Sequence, residues 1–239
     1  MKAIILSAGQ GSRLLPLTED RPKCLLAVGD DTILGIQLKA LKAGGVSDVA
    51  IVTGFRTAAV EKAAADASSP GFTVRTVFNP FYNVADNLAS CWMARAEMHG
   101  PFLLLNGDTL FRPSILETLL AAPPADITLS IDKKSEYDSD DMKVTLDGDN
   151  IIDVGKDLTP DETHGESIGF SRYSAEGADI FRETLEQIMR TPNGLRWWYL
   201  KAIAVLGERG LVRACSIEGQ TWGEVDFHVD LEEATEKFG

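Results

Sequence analysis

Gly9-Gln10-Gly11-Ser12-Arg13 follows the apolar run Ala3–Leu6, and a second cation, Lys23, stands a little further on. Glycines let backbone N–H groups come close to a phosphate, and a cationic side chain completes such a cradle. The loop is not a dinucleotide fingerprint, because Leu14 stands where the last glycine belongs. It is not a P-loop either, because no Gly-Lys-Ser/Thr follows at the right spacing. A lone GxG after a strand also suits an ordinary strand-to-helix turn. Two acidic segments lie downstream. Asn106-Gly107-Asp108 follows the apolar run Phe102–Leu105. Asp108 therefore falls at the carboxyl end of a strand, where open α/β sheets bind ligands. Glu224 and Asp226, two residues apart, share one face of any strand that carries both. The three cysteines, Cys24, Cys91 and Cys215, form no CxxC pair, so neither a zinc site nor a disulfide framework is expected.

The elements around these residues change character midway. In the first half, short apolar runs (Ala3–Leu6, Val49–Val52, Val74–Phe78, Phe102–Leu105) alternate with helical patterns at 32–43, 57–67 and 87–98. Such alternation implies βαβ units and a mostly parallel sheet. In the second half, strand-like runs at 127–131, 142–146, 151–154 and 168–171 include a turn at Asp147-Gly148-Asp149-Asn150. Helical patterns return at 175–189, 197–206 and 231–238, with a strand at 211–217 between the last two. The reading is one α/β domain over residues 1–239. It has a Rossmann-like, mixed but mostly parallel sheet flanked by helices, and a small antiparallel extension for a second substrate.

The stretch Ala3–Val28, with Gly11-Ser12-Arg13-Leu14-Leu15-Pro16-Leu17-Thr18 and Pro22-Lys23-Cys24-Leu25-Leu26, resembles the signature of the nucleotidyltransferase superfamily. That superfamily includes sugar-1-phosphate nucleotidyltransferases and bacterial choline-phosphate cytidylyltransferases. The resemblance implies that Ala8, Gly9, Gly11 and Ser12 wrap a nucleoside triphosphate. It assigns Arg13 to the β and γ phosphates and Lys23 to the reacting phosphate. Two cations on a Gly-rich loop of an acidic chain suit a triphosphate. Trp222–Leu231 resembles the family's closing motif. Asp108 and Asp226 are then the expected Mg²⁺ ligands, with Glu224 as a third. Asp230 is expected to cap the last helix, and His228 to be structural. Phe78–Ser90 is similar to the choline-phosphate branch, which puts Asn87 and Ser90 near the base.

On the acceptor side, the family resemblance gives Lys156 the acceptor phosphate. Gly165-Glu166-Ser167-Ile168-Gly169-Phe170 resembles a further family element. Trp197, Trp198 and Tyr199 offer aromatic faces to a quaternary ammonium. On a helix they fan out over roughly 200°, so one or two should line the pocket and the rest should pack. The acidic run Glu136, Asp138, Asp140 and Asp141 could help a cationic acceptor, but reads first as solvated loop. An ionised acceptor phosphate needs no general base, so the implied chemistry is in-line attack on the α-phosphorus of an NTP with loss of pyrophosphate.

The formal net charge of −13 argues against nucleic-acid and anionic-membrane partners. It also means that cations must be gathered locally for a polyanionic substrate. The first residues hold too short an apolar run for a signal peptide or a membrane span, so a cytoplasmic enzyme is expected. A homodimer is left open. The first functional reading is CMP transfer from CTP to a small phosphorylated acceptor such as phosphocholine. It is preferred because Ala8 replaces a glycine common in sugar enzymes and no hexapeptide repeat is present. The second is a sugar-1-phosphate nucleotidyltransferase making an NDP-sugar. The third, a non-catalytic nucleotide-binding regulator, would suit a chain lacking the cations and aspartates found here.

Overall fold

A computed structural model describes residues Met1–Gly239. In chain order its elements are β1 (Lys2–Ser7), β2 (Ala27–Val28), β3 (Asp31–Thr32), α1 (Ile33–Ala43), β4 (Asp48–Thr53), α2 (Thr57–Ala67), β5 (Thr73–Phe78), α3 (Asn87–Met93), β6 (Phe102–Asn106) and β7 (Thr109–Phe111). There follow α4 (Pro113–Ala121), β8 (Ile127–Asp132), β9 (Lys143–Asp147), β10 (Asn150–Gly155), β11 (Gly165–Tyr173), α5 (Ala175–Met189), α6 (Leu200–Gly207), β12 (Val212–Ser216), β13 (Trp222–Glu224) and α7 (His228–Phe238).

Nine strands form one sheet in the order β5-β4-β1-β6-β11-β8-β12-β10-β9. Its first four strands are parallel. Beyond β6 the pairings are antiparallel, except that β12 runs parallel to β8. The central strands are apolar on both faces, and alternation sorts their side chains into two cores. Ile4, Leu6, Ala50, Val52, Phe102 and Leu104 enter one core. Ala3, Ile5, Val49, Ile51, Leu103 and Leu105 enter the other. Each fully buried Leu or Ile contributes roughly 1.5–3 kcal/mol, so these runs anchor the strand ends that carry the site.

Strand β1 lies between β4 and β6, so chain connections leave it in both directions. The carboxyl ends of β1 and β6 thus border a topological switch point, the ligand crevice of open α/β sheets. The antiparallel extension is the β9–β10 hairpin. It turns at Gly148, whose φ of +58° is in the region that favours glycine. No helix is long and apolar enough to cross a membrane.

Two local expectations need correction. The helix expected from Trp197 begins at Leu200. The segment before it pairs with the start of α3 instead: Asp86 N–H donates to Leu195 O, Leu88 N–H to Trp197 O, and Tyr199 N–H to Asn87 Oδ1 at 2.8 Å. The pattern from 87 to 98 is helical only to Met93 and continues as a single 3₁₀ turn, Ala94–Glu97.

Candidate active site

Lys23 sits on a single 3₁₀ turn, Lys23–Leu25, opened by Pro22. Its Nζ donates to Asp108 Oδ2 and to Asp226 Oδ1, both at 2.6 Å. Those two carboxylate oxygens are therefore at most about 5 Å apart. Burial alone would lower the Lys23 pKa. The charges of Asp108 and Asp226 outweigh burial and hold it above its ordinary value. Gly11 lies against this lysine with φ +79°, and a Cβ there would come within 2.9 Å of Lys23 Cβ. Arg13 reaches Asp226 Oδ1 at 3.2 Å and Asp140 Oδ2 at 2.5 Å, and lies over the Phe227 ring at 4.9 Å.

Asp108 is held by a turn that admits little variation. Gly107 N–H donates to Leu6 O, and a Cβ on Gly107 would meet Ser7 Oγ at 2.4 Å and Leu6 O at 2.5 Å. Gln37, buried on α1, spans the turn: its Nε2 donates to Asn106 O at 2.9 Å and Thr109 O at 2.8 Å. Val225 N–H donates to Asp108 O where β13 pairs with β7, which brings Asp226 alongside. Asp230 Oδ2 accepts from Asp226 N and Phe227 N, so it caps α7. His228 Nε2 lies 3.1 Å from Leu15 O and tethers the loop to α7.

Asp108 Oδ1 is buried without a hydrogen-bond partner. A carboxylate oxygen left free beside a second carboxylate is the donor chemistry a hard divalent cation takes, so these residues fit Mg²⁺. Glu224, the expected third carboxylate, lies beside this pair: Asp108 and Asp226 are the charges that act on its carboxyl, and it lines the groove that leads from Asp226. Glu224 opens onto the groove yet is ringed by protein atoms. Desolvation, then the charges of Asp108 and Asp226, push its carboxyl well above the ordinary range.

Ala8, Gly9, Gly11, Ser12, Arg13, Lys23, Asp108 and Asp226 line one cleft of about 400 Å³ together with Tyr82, Asp86, Asn87, Ser90 and Trp198. Lys156 Nζ pairs with Asp140 Oδ1 and lies 4.8 Å above the Trp198 ring. Of the three aromatics only Trp198 faces the cleft. Trp197 packs on the core, and Tyr199 is 0% exposed beneath it, so Tyr199 cannot touch an acceptor. Their hydrogen bonds to α3, described above, dictate this sorting. From Asp226 a second groove of about 890 Å³ leads away past Asp132, Lys134, Asp138, Asp140, Asp141 and Glu166. Glu166 is buried beside Lys134 at 2.9 Å, and burial pushes its carboxyl up to about 7.

Gln37 and Asp140 carry structural tasks at the site that the sequence did not disclose. Gln37 had no local motif. Asp140 was visible as part of an acidic loop, but its partners lie 127 and 16 positions away.

The chain belongs to the nucleotidyl transferase family, whose model matches residues 2–138. It is a pyrophosphate-releasing nucleotidyltransferase. A CTP:phosphoglutamine cytidylyltransferase of Campylobacter jejuni subsp. jejuni is 25% identical over 99% of this chain and 100% of its own length. A choline-phosphate cytidylyltransferase of Streptococcus pneumoniae is 34% identical over 47% of this chain and 47% of its own. The fold matches the inositol-1-phosphate CTP transferase from T. maritima with a TM-score of 0.81 and 22% identity, over 99% of this chain and 95% of that one.

Proposed function

We propose that this enzyme transfers CMP from CTP to a small phosphorylated acceptor with a cationic head group, of the phosphocholine kind, with Mg²⁺ as cofactor. The observation that carries the reading is the meeting of Arg13 and Lys156 on one carboxylate, Asp140, beside the Asp108–Asp226 pair. Arg13 comes from the glycine loop and Lys156 from the antiparallel half. A carboxylate gripped by both stands in for the phosphate oxygens of two substrates that must touch.

In this reading the triphosphate runs along Gly9, Gly11, Ser12 and Arg13, Lys23 meets the α-phosphate, and Lys156 holds the acceptor phosphate. An acceptor oxygen attacks the α-phosphorus in line. The new P–O bond forms as the bond to the bridging oxygen of the β-phosphate breaks, and pyrophosphate departs with that electron pair. The attacking phosphate is already ionised near neutral pH, so no base is required, and catalysis is positioning plus charge neutralisation. Asp108 and Asp226 would hold Mg²⁺, which supplies further neutralisation at the phosphates.

The cytidylyltransferases among its relatives support CTP as donor. The acidic walls of the groove, Asp132, Asp138, Asp141 and Glu233 against Lys134 and Lys237, support a cationic head group. A second reading, transfer to a sugar or polyol phosphate, is favoured by the same groove's size and by Ser139, Ser167, Gln220 and Thr221 along it, which suit hydroxyls. The test is pyrophosphate release with four NTPs against phosphocholine, aminoethylphosphonate and common sugar phosphates. Turnover with CTP and an amino-alcohol phosphate supports the first reading. Preference for a sugar phosphate promotes the second, and no release with any pair overturns both.

A further inference from the structure

Within the cleft, charge is concentrated at one end, in Arg13, Lys23, Asp108 and Asp226. The opposite end, lined by Ala8, Gly9, Tyr82, Asn87 and Ser90, is neutral apart from Asp86. A triphosphate must lie at the first end, which leaves the base to the second. Ser90, in α3 and 4% exposed, is the hydroxyl at that neutral end facing the helical side of the cleft.

Its hydrogen bonding is one-sided. Asn79, 0% exposed, follows β5 directly and is fixed by its own backbone, with N–H donating to Thr53 O at 2.8 Å. Its Oδ1 accepts from Phe81 N at 2.9 Å, which leaves its Nδ2 to face Ser90 Oγ at 3.0 Å. The amide orientation is thus dictated by the Phe81 N–H, not chosen freely. Ser90 Oγ accepts from Asn79 and donates to no acceptor of the protein, not even the carbonyl one turn back that helical serines commonly use.

The geometry points to Asn79 as a positioning residue for base recognition: it holds Ser90 as a hydrogen-bond donor aimed into the cleft, set to read the acceptor edge of a pyrimidine, the O2–N3 edge of cytosine. This rests on the nucleotide reading above. Asn79 itself touches no ligand; it acts through Ser90.

Asn79→Asp reverses the polarity with almost no change in shape. An aspartate oxygen in place of Nδ2 accepts the Ser90 proton and takes it from the base. KM for CTP should rise about tenfold, the worth of one hydrogen bond, while KM for the acceptor stays within twofold and kcat falls less than threefold. Ser90→Ala should raise KM for CTP similarly. In the Ser90→Ala background, Asn79→Asp should add nothing, because the two act as one unit. If Asn79→Asp proves too unstable, Asn79→Ala carries the same test, with about a threefold rise in KM that Ser90→Ala abolishes. An unchanged KM for CTP in Ser90→Ala overturns the placement of the base. A normal Ser90→Ala effect with a silent Asn79→Asp, or equal losses that simply multiply, overturns the role given to Asn79.

Discussion

Arg13 crosses the cleft to Asp140, with Nη1 and Oδ2 2.5 Å apart, although the two residues are 127 positions apart in sequence. The pair is nearly half exposed on both sides, so it contributes under about 1 kcal/mol. A triphosphate therefore displaces Asp140 easily. Asp140→Asn should free Arg13 and Lys156 and lower KM for CTP and for the acceptor by up to about fivefold. Steady-state kinetics with each substrate varied in turn checks this, and a rise in either KM would refute the competition.

In the proposed reading, Asp108 and Asp226 hold one Mg²⁺. Asp108→Asn or Asp226→Asn should cut kcat by at least about a hundredfold. The melting temperature should fall by no more than a few degrees, because amides still accept from Lys23. Parallel turnover and circular-dichroism melting separate the two effects.

Lys23 is the most enclosed of the cleft's cations, with its side chain 13% exposed. Lys23→Ala leaves two carboxylates facing each other and should destabilise the fold by about 3–5 kcal/mol. Added Mg²⁺ should restore part of that loss. At saturating Mg²⁺, kcat should drop far more than KM rises, since charge developing at the reacting phosphate is what the lysine meets. An unaltered kcat would remove Lys23 from the chemistry.

Trp198 carries the Lys156 ammonium on its face. Such a contact at a partly exposed site is worth about 0.5–1 kcal/mol. Trp198→Ala should raise KM for the acceptor about threefold to fivefold and leave KM for CTP nearly constant. Equal loss for both substrates would mark Trp198 as packing only.

Away from the cleft, Arg75 and Lys2 hold Glu97, and the hydrogen bonds from Arg75 lead in pulling its carboxyl from the ordinary 4.5 down to about 2. A depressed carboxylate contributes stability above its unfolded value, and that contribution is lost as pH falls through the folded one. Wild type should lose a few degrees of melting temperature between pH 4.5 and 2. Glu97→Gln should start lower and show a flatter profile across that window.

Strands β1, β4, β5 and β6 were legible because runs apolar on both faces leave little choice of element. The glycine loop was legible because its residues sit together in sequence. Helices α2 and α5 kept their expected limits, since their periodicity agrees with their packing. The start of α6 was not legible: Tyr199 gives its N–H to Asn87, 112 positions away, and no local pattern announces that bond. The same holds for Gln37, whose amide serves a turn about seventy residues further on. Asp140 was visible but ambiguous, because an exposed acidic loop and a loop aimed at two cations have the same composition.

Synthesis delivers Lys23 early and Asp226 some two hundred residues later. Until Trp222–Glu224 zips onto Thr109–Phe111, the lysine faces a single aspartate, and the emerging chain holds a nucleotide cradle with half its anionic floor. The parallel strands β1, β4, β5 and β6 pair without that last ladder, whereas Leu14 beside the glycine loop packs with Val225 and Ala234 and is covered only once the ladder and α7 are in place. Competence for catalysis is therefore a late event in the life of each molecule. In a refolding experiment, recovered turnover should lag behind recovered secondary structure.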